Sequence, residues 1–123
     1  MCIFCPDNIK EKIIFSTDYF NIIEDEYPAN QGHMLVIPKR HIEDINQINH
    51  KEWVNLFFAI QLTKLKQLQK YPNCDGFNIG INEGKAAGQT INHLHIHIIP
   101  RYVGDVENPK GGIRNFKKPL VEY

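Results

Sequence analysis

The sequence predicts an α+β fold, in which one long helix packs on an antiparallel sheet. Several short segments are apolar or alternate between apolar and polar residues, and turn residues separate them closely. One much longer segment, from about residue 50 to residue 70, has helical periodicity instead. The order of strands, one helix and further strands, with short connections, is typical of an antiparallel sheet covered by a helix on one face.

Five segments have the pattern of a strand: 12–15, 20–24, 33–38, 77–82 and 92–100. Asp18 fits a tight turn between the first two strands. The apolar run 33–38 predicts a central strand, and Pro38 ends it because proline cannot donate to a ladder. Alternation in 77–82 predicts that Phe77, Ile79 and Ile81 face the core.

The long helix begins with the spacing of a capping box, since Asn49 precedes Glu52 by three residues. The predicted span is 50–70, ended by Tyr71 and Pro72. The side chains predicted to form its buried stripe are Trp53, Leu56, Phe57, Ile60, Leu65 and Leu68. Those predicted on the opposite face are Lys51, Glu52, Gln61, Lys64 and Lys66.

Composition limits the classes of partner. The 123 residues predict a single domain, with residues 102–123 as a turn-rich tail. Lysine plus arginine and aspartate plus glutamate number 14 each, and this balance argues against specific nucleic-acid binding or attraction to an anionic membrane. No apolar run has the length of a bilayer span and no leader pattern opens the chain, so we expect a cytoplasmic protein. Three cysteines then favour ligands or buried thiols over disulfides.

Three histidines alternate with aliphatic residues near the end of the chain: His93, His95 and His97. On a strand their rings would share one face, which allows three interpretations. They could be unrelated surface histidines, although half of the chain's histidines at one parity makes that a poor explanation. They could bind zinc. Alternatively, one neutral imidazole could attack phosphorus while protonated neighbours neutralise the phosphate oxygens.

The segment before these histidines favours the phosphate interpretation. Residues 82–90 contain Gly84 and Gly88, and glycines allow backbone N–H groups to approach an anion closely. Gln89 and Thr90 add side-chain donors. Taken alone, the segment fits an ordinary hairpin turn better than an anion site. His33 follows Gly32 at the start of the central strand, where an isolated histidine usually has a structural role.

With these motifs the sequence resembles the histidine triad (HIT) family, whose signature alternates histidine with hydrophobic residues. The resemblance rests on 93–99 and, in the same order along the chain, on 3–4, Asp25, 32–39, 82–84 and 88–90. The tail from Pro100 to Pro109 is similar to bacterial and archaeal members that are labelled dinucleoside polyphosphate hydrolases.

The resemblance implies a homodimer whose sheet continues across the interface, and a nucleotide hydrolase or transferase that needs no catalytic metal. It implies that His95 attacks the α-phosphorus of a nucleoside 5′-phosphoanhydride and forms a nucleotidyl-histidine. His97 and His33 would hold phosphate oxygens, and Thr90 would assist the leaving group. The nucleotide, of adenosine type, would contact Ile3, Phe4, Ile23, Asp25, Asn82, Gly88 and Gln89. Cleavage of a phosphoramidate and nucleotide binding with only incidental activity are the alternatives.

A second group, Cys2, Cys5, His41 and His93, is a ligand set of the kind that structural zinc prefers. Some bacterial HIT members carry such a set at matching positions, and in that case His93 would serve the metal. The other interpretation is that Cys2 and Cys5 are small apolar residues of a fraying terminus. A zinc hydrolase with all three alternating histidines on one metal is a further alternative.

Overall fold

The computed structural model describes residues 2–115, which fold into one five-stranded antiparallel sheet and one long helix. This confirms the predicted fold class. The strands are β1 (Ile13–Ser16), β2 (Phe20–Glu24), β3 (Met34–Pro38), β4 (Gly76–Gly80) and β5 (Ile96–Arg101). The helices are α1 (Pro6–Ile9) and α2 (His50–Lys70), with short 3₁₀ turns at Ile45–Gln47, Lys85–Ala87 and Gly112–Arg114.

The sheet has the order β1-β2-β3-β5-β4, so β3 is central, as the apolar run predicts. Its register pairs Leu35 with His97 and Met34 with Ile98. Residues two apart on a strand share a face. His97 therefore points away from the face that carries Ile96 and Ile98, which are fully buried beside the helix-side core.

Two separate groups of buried side chains cover the two faces of the sheet. The group on the side of α2 contains Phe20, Ile22, Met34, Val36, Leu56, Ala59, Ile96 and Ile98. The group on the other side is smaller and contains Phe4, Ile9, Ile23, Leu35 and Ile37. The N-terminal segment with α1 supplies two of its members, so this segment covers the face to which His97 belongs.

The bounds of α2 agree with the prediction, and the capping box is formed. The Asn49 side chain accepts from the Glu52 backbone at 2.9 Å, and Glu52 accepts in return from the Asn49 backbone at 3.0 Å. These bonds satisfy two of the donors that every helix start leaves open.

The predicted buried stripe of α2 is right at Leu56, which is buried, and at Ile60, which packs partly against the helix-side core, but it is wrong at the other four positions. The buried residues are Glu52, Leu56, Ala59, Thr63 and Gln67. Trp53, Phe57, Leu65 and Leu68 are exposed, Phe57 by 71%. The helix has a second apolar face, and periodicity alone does not show which face meets the sheet. Glu52, predicted to be solvated, is buried because Arg40 pairs with it at 2.8 Å.

Ile79 lies on the predicted face, since it pairs with Ile98 of the helix-side core, but 37% of its surface is exposed. β4 is an edge strand, so its side chains have fewer neighbours than those of β3. Phe77 and Ile81 do pack partly against the helix-side core.

The first part of the predicted tail is turn-rich as expected, while residues 116–123 lie outside the described residues. Arg101 holds the start of this tail in place. It donates from Nε and Nη2 to the two carboxylate oxygens of Asp105, at 2.7 and 2.8 Å. The Arg101 guanidinium lowers the pKa of the Asp105 carboxyl. Between residues 2 and 115, no helix combines the length and apolarity needed to span a membrane.

Candidate active site and metal centre

The predicted alternation is confirmed, although β5 begins only at Ile96: Leu94, Ile96 and Ile98 enter the helix-side core, and the histidine rings lie on the other side. His93 lies against the N-terminal segment, whereas His95 and His97 are neighbours with ring centroids 5.1 Å apart. Phe4 packs edge-on against His95 at 5.0 Å, and its ring centroid lies 6.4 Å from that of His93. The rings therefore form a row. His93, at one end, lies beside the two cysteines, and His97, at the other end, lies beside His33.

The protonation of His95 follows from its backbone partner. Its Nδ1 lies 2.8 Å from the carbonyl oxygen of His93. A carbonyl only accepts, so Nδ1 carries the proton and Nε2 keeps its lone pair. The side chain is 7% exposed, and within residues 2–115 no hydrogen bond occupies Nε2. His95 thus presents an oriented, unoccupied base.

His33 and His97 form a hydrogen-bonded pair next to it. His33 Nδ1 accepts the backbone N–H of Ala29 at 2.9 Å, which places the proton of the neutral ring on Nε2. This Nε2 lies 2.9 Å from Nδ1 of His97 and 3.3 Å from Oδ2 of Asp25. His97 therefore accepts at Nδ1 and carries its proton on Nε2, a buried donor without a partner among the described residues.

Burial keeps these two rings neutral. It lowers the pKa of His97 to about 4, with smaller contributions from His95 and His33, while Asp25 acts in the opposite direction. Burial also lowers the pKa of His33, again against Asp25. In the free site His97 thus offers a neutral N–H, and the protonated neighbours of the sequence hypothesis stay a prediction for the phosphate-bound site.

Acid is expected to destabilise the fold through His97. Its folded pKa of about 4 lies below the ordinary 6.5, so below pH 6.5 the unfolded chain binds a proton that the folded chain does not. The free energy of unfolding should fall by about 3 kcal/mol on this account as the pH drops from 7 to 4. Urea unfolding of wild type and His97→Asn across this range isolates the effect. Parallel pH profiles for the two proteins would contradict it.

A cavity of about 460 Å³ adjoins the row of rings. This volume lies in the range of small-molecule sites. The residues lining it are Ile3, Phe4, Asn8, Ile9, Lys12, Ile23, Asp25, Glu26, Tyr27, Leu35 and Ile91. The structure thus brings together Ile3, Phe4, Ile23 and Asp25 from the predicted nucleotide contacts. The cavity meets the histidines through two of its walls, Phe4 against His95 and Asp25 beside His33 and His97.

Sequence reasoning missed part of this cavity because it did not predict α1. The signal was present: Pro6 stands at the start of the helix and Asp7 in its first turn. Helix α1 places Asn8 and Ile9 on the cavity wall.

The glycine-bearing segment lines a separate, more open cleft of about 690 Å³. Gly88, Gln89 and Thr90 line it, but exposed Asn82 is not among the lining residues. The Gln89 amide closes its own loop: Oε1 accepts from the Gly84 backbone at 2.8 Å, and Nε2 donates to Ile91 O at 3.0 Å. In this conformation Gln89 holds the loop, and its donors are not directed at an open anion site.

Cys2, Cys5, His41 and His93 converge as predicted, with one potential ligand atom from each lying within 4.8 Å of all the others. Sulfur and nitrogen ligands of tetrahedral zinc, at about 2.3 and 2.0 Å from the metal, are separated by about 3.6 Å. The distance from His93 Nδ1 is 3.1 Å to Cys2 Sγ and 3.7 Å to Cys5 Sγ. Cys5 Sγ lies 3.4 Å from His41 Nδ1. The four residues fit zinc.

The orientation of His93 supports this fit. Its Nε2 lies 2.8 Å from the carbonyl of Pro38 and donates to it, so Nδ1 keeps a lone pair toward the two sulfurs. A metal-bound histidine commonly donates its second N–H in this way. One zinc ion on His93, His95 and His97 together is not supported, because His93 faces the cysteines and Nδ1 of His95 is bound to a carbonyl.

Comparison with known proteins shows the family and agrees with the fold. The family model described as the HIT domain matches residues 7–104, beginning after the two N-terminal cysteines. A HIT-like protein of Methanocaldococcus jannaschii is 39% identical over 115 residues, which are 91% of this chain and 88% of that protein. The bis(5′-adenosyl)-triphosphatase of Dictyostelium discoideum is 35% identical over 99 residues, 80% of this chain and 66% of that protein.

A solved structure of a Zn-bound histidine triad family protein from Mycobacterium smegmatis is similar over most of its length. It superposes with a TM-score of 0.73 at 34% identity, covering 85% of this chain and 77% of that one.

Proposed function

Because this chain belongs to the HIT family, we propose that it hydrolyses a nucleoside 5′-phosphoanhydride, such as a diadenosine polyphosphate, through a covalent intermediate on His95. The observation that carries the proposal is the free lone pair of His95 Nε2, oriented by a carbonyl and placed beside the wall of a nucleoside-sized cavity. The activity in the name of the Dictyostelium relative supports the substrate class.

In the first step Nε2 of His95 forms a bond to the α-phosphorus, and the bond from phosphorus to the bridging oxygen breaks. The leaving phosphate takes the electron pair and a proton, for which the Thr90 hydroxyl is the proposed donor. In the second step water attacks phosphorus and gives up a proton that restores the Thr90 hydroxyl. The N–P bond breaks, its electron pair returns to Nε2 of His95, and the nucleoside monophosphate leaves. The N–H on Nε2 of His97 stabilises the charge on the phosphoryl oxygens.

We assign the nucleoside to the 460 Å³ cavity. Its aliphatic and aromatic walls suit a base, while Asp25 is placed to accept ribose hydroxyls. Asp25 Oδ1 already accepts the Tyr27 backbone N–H at 2.8 Å, which fixes the carboxylate. Its other oxygen faces His33 and His97. One carboxylate would thus connect the ribose with the phosphate-binding pair.

A second candidate is cleavage of a P–N bond, and the open cleft favours it. Glu43, Asp44 and Glu83 line this cleft with Gly88 and Thr90, and Lys85 is its one cationic lining residue. Such an arrangement repels a bare polyphosphate leaving group and attracts an amine. Both reactions share the intermediate on His95 and differ only in the leaving group.

Hydrolysis of diadenosine tetraphosphate in ¹⁸O-labelled water tests the proposal. Attack on the α-phosphorus should give AMP that carries the label and ATP that does not. Two molecules of ADP would contradict it. Tight AMP binding without turnover of the tetraphosphate or of adenosine 5′-phosphoramidate would indicate a binding protein, and a clear preference for the amidate would select P–N cleavage.

We also propose that two copies pair through the exposed apolar face of α2 and the edge strand β4. Trp53, Val54, Phe57 and Phe58 are each more than half exposed, a concentration that is unusual for a free surface. The outer edge of β4 could continue the sheet into a second copy. Sedimentation should show two copies for wild type and one for Phe57→Glu.

A further inference from the structure

The buried face of α2 contains a polar side chain that the proposed chemistry leaves unexplained. Gln67 is fully buried. Its Nε2 donates to two backbone carbonyls, Gly32 O at 2.9 Å and Ile98 O at 2.8 Å. Because both partners only accept, the nitrogen end of the amide must face them. Oε1 is left without a partner among the described residues.

The two carbonyls belong to the segments that carry the histidine pair. Gly32 immediately precedes His33, and Ile98 immediately follows His97. The ladder between β3 and β5 extends from Val36 paired with Ile96 to Met34 paired with Ile98. Gly32 lies beyond its last pair, so Gln67 joins the two backbones where the ladder has ended.

Tyr71 also restrains the backbone at Gly32, from the side of the helix. Tyr71, the residue after α2, lies so close to Gly32 that a Cβ there would come within 2.8 Å of Tyr71 Cδ2. Gly32 also has a φ of +85°, which L side chains rarely adopt. The backbone before His33 is therefore fixed by Gln67 and Tyr71 together.

An unpaired acceptor at a fully buried site lowers stability. An apolar side chain of similar length would avoid the unpaired Oε1 but would take the donor away from Gly32 O and Ile98 O, so what distinguishes the amide is that it bonds both backbone segments at once. What the amide specifically provides is a fixed separation between the backbones of His33 and His97. That separation sets the 2.9 Å contact between His33 Nε2 and His97 Nδ1, which determines the nitrogen of His97 that carries the proton.

We propose that Gln67 is a positioning residue for phosphoryl transfer: from the opposite face of the sheet, it holds His33 and His97 at hydrogen-bonding distance. This inference rests on the proposed function for its effect on rate. Its effect on the histidine pair does not depend on turnover. Gln67 itself touches no reacting atom, because its amide is used by the two carbonyls.

The test compares Gln67→Met with Thr63→Val. Methionine keeps the length of the side chain and removes both donors. Thr63 lies one turn earlier on the same buried face, and its hydroxyl bonds only within the helix, to Ala59 O at 2.7 Å. Thr63→Val therefore controls for the loss of a buried polar group that does not bond to the strands. Gln67→Leu is a second variant with the same prediction, should the methionine variant fold poorly.

Two readouts are needed. On diadenosine tetraphosphate, Gln67→Met should lower kcat by roughly 10- to 100-fold with KM changed less than about twofold, since small misplacements of catalytic groups have effects of this size. In imidazole ¹⁵N spectra, the hydrogen-bonded pattern of His33 and His97 should be lost. Thr63→Val should change neither readout.

An unchanged imidazole spectrum in Gln67→Met would overturn the positioning role, whatever happens to the rate. A changed spectrum with unaltered kcat in an active enzyme would overturn its link to catalysis. If wild type hydrolyses no anhydride or amidate and the spectrum still changes, the proposed function fails while the positioning role stands.

Discussion

Replacing His95 by asparagine is expected to abolish turnover while leaving the fold intact. Asparagine cannot form the bond to phosphorus, and loss of a nucleophile typically lowers kcat by about 10³-fold or more. The cavity walls come from other residues, so AMP binding should remain within a few-fold of wild type. Steady-state rates on diadenosine tetraphosphate and calorimetric titration with AMP measure the two quantities.

The matched control is His50→Asn, since His50 is exposed at the start of α2, away from the row of rings. It should retain full activity. Comparable rates for wild type and His95→Asn would show that the nucleophile is assigned wrongly. Loss of both activity and circular dichroism would point to unfolding, and urea denaturation distinguishes that case.

Removal of zinc should strongly destabilise the protein. Protein purified without added metal is expected to contain about one zinc per chain, held by Cys2, Cys5, His41 and His93. If free zinc stands at a thousand times its dissociation constant, binding stabilises the fold by about 4 kcal/mol. A chelator should then lower Tm on the order of 15 °C for a chain of this length.

Cys5→Ser should reproduce the effect of the chelator, and Cys74→Ser should not. Cys74 lies in the turn after α2, where its thiol donates to Gly76 O at 3.2 Å. Elemental analysis gives the metal content of each variant. Wild-type protein with almost no zinc, or a Tm that does not respond to the chelator, would exclude a structural metal at this position.

The fold was largely predictable because its signals are local. Alternation and apolar runs located all five strands, and Asn49 with Glu52 located the start of α2. The face of α2 was not predictable, because which face meets the sheet depends on partners distant in sequence. Glu52 is buried through Arg40, and Gln67 through carbonyls more than thirty residues away in each direction.

The candidate site was also predictable only in part from the sequence. The converging cysteines and histidines were predicted from residue types and from the family resemblance. Alternation alone does not show that His93 faces the two cysteines, and only the family resemblance implied this role. The neutral state of His97 depends on burial, which a sequence pattern does not reveal.

The two N-terminal cysteines enclose Ile3 and Phe4, and these two residues also form part of the nucleoside cavity. One short stretch of chain therefore contributes both to the candidate metal centre and to the cavity proposed for the nucleoside. Ordering it for a cation removes part of the entropic cost of ordering it for a base. By thermodynamic reciprocity, each ligand then raises affinity for the other by the same factor. Cellular zinc supply would thus set how tightly nucleotide is held, with no displacement of the sheet.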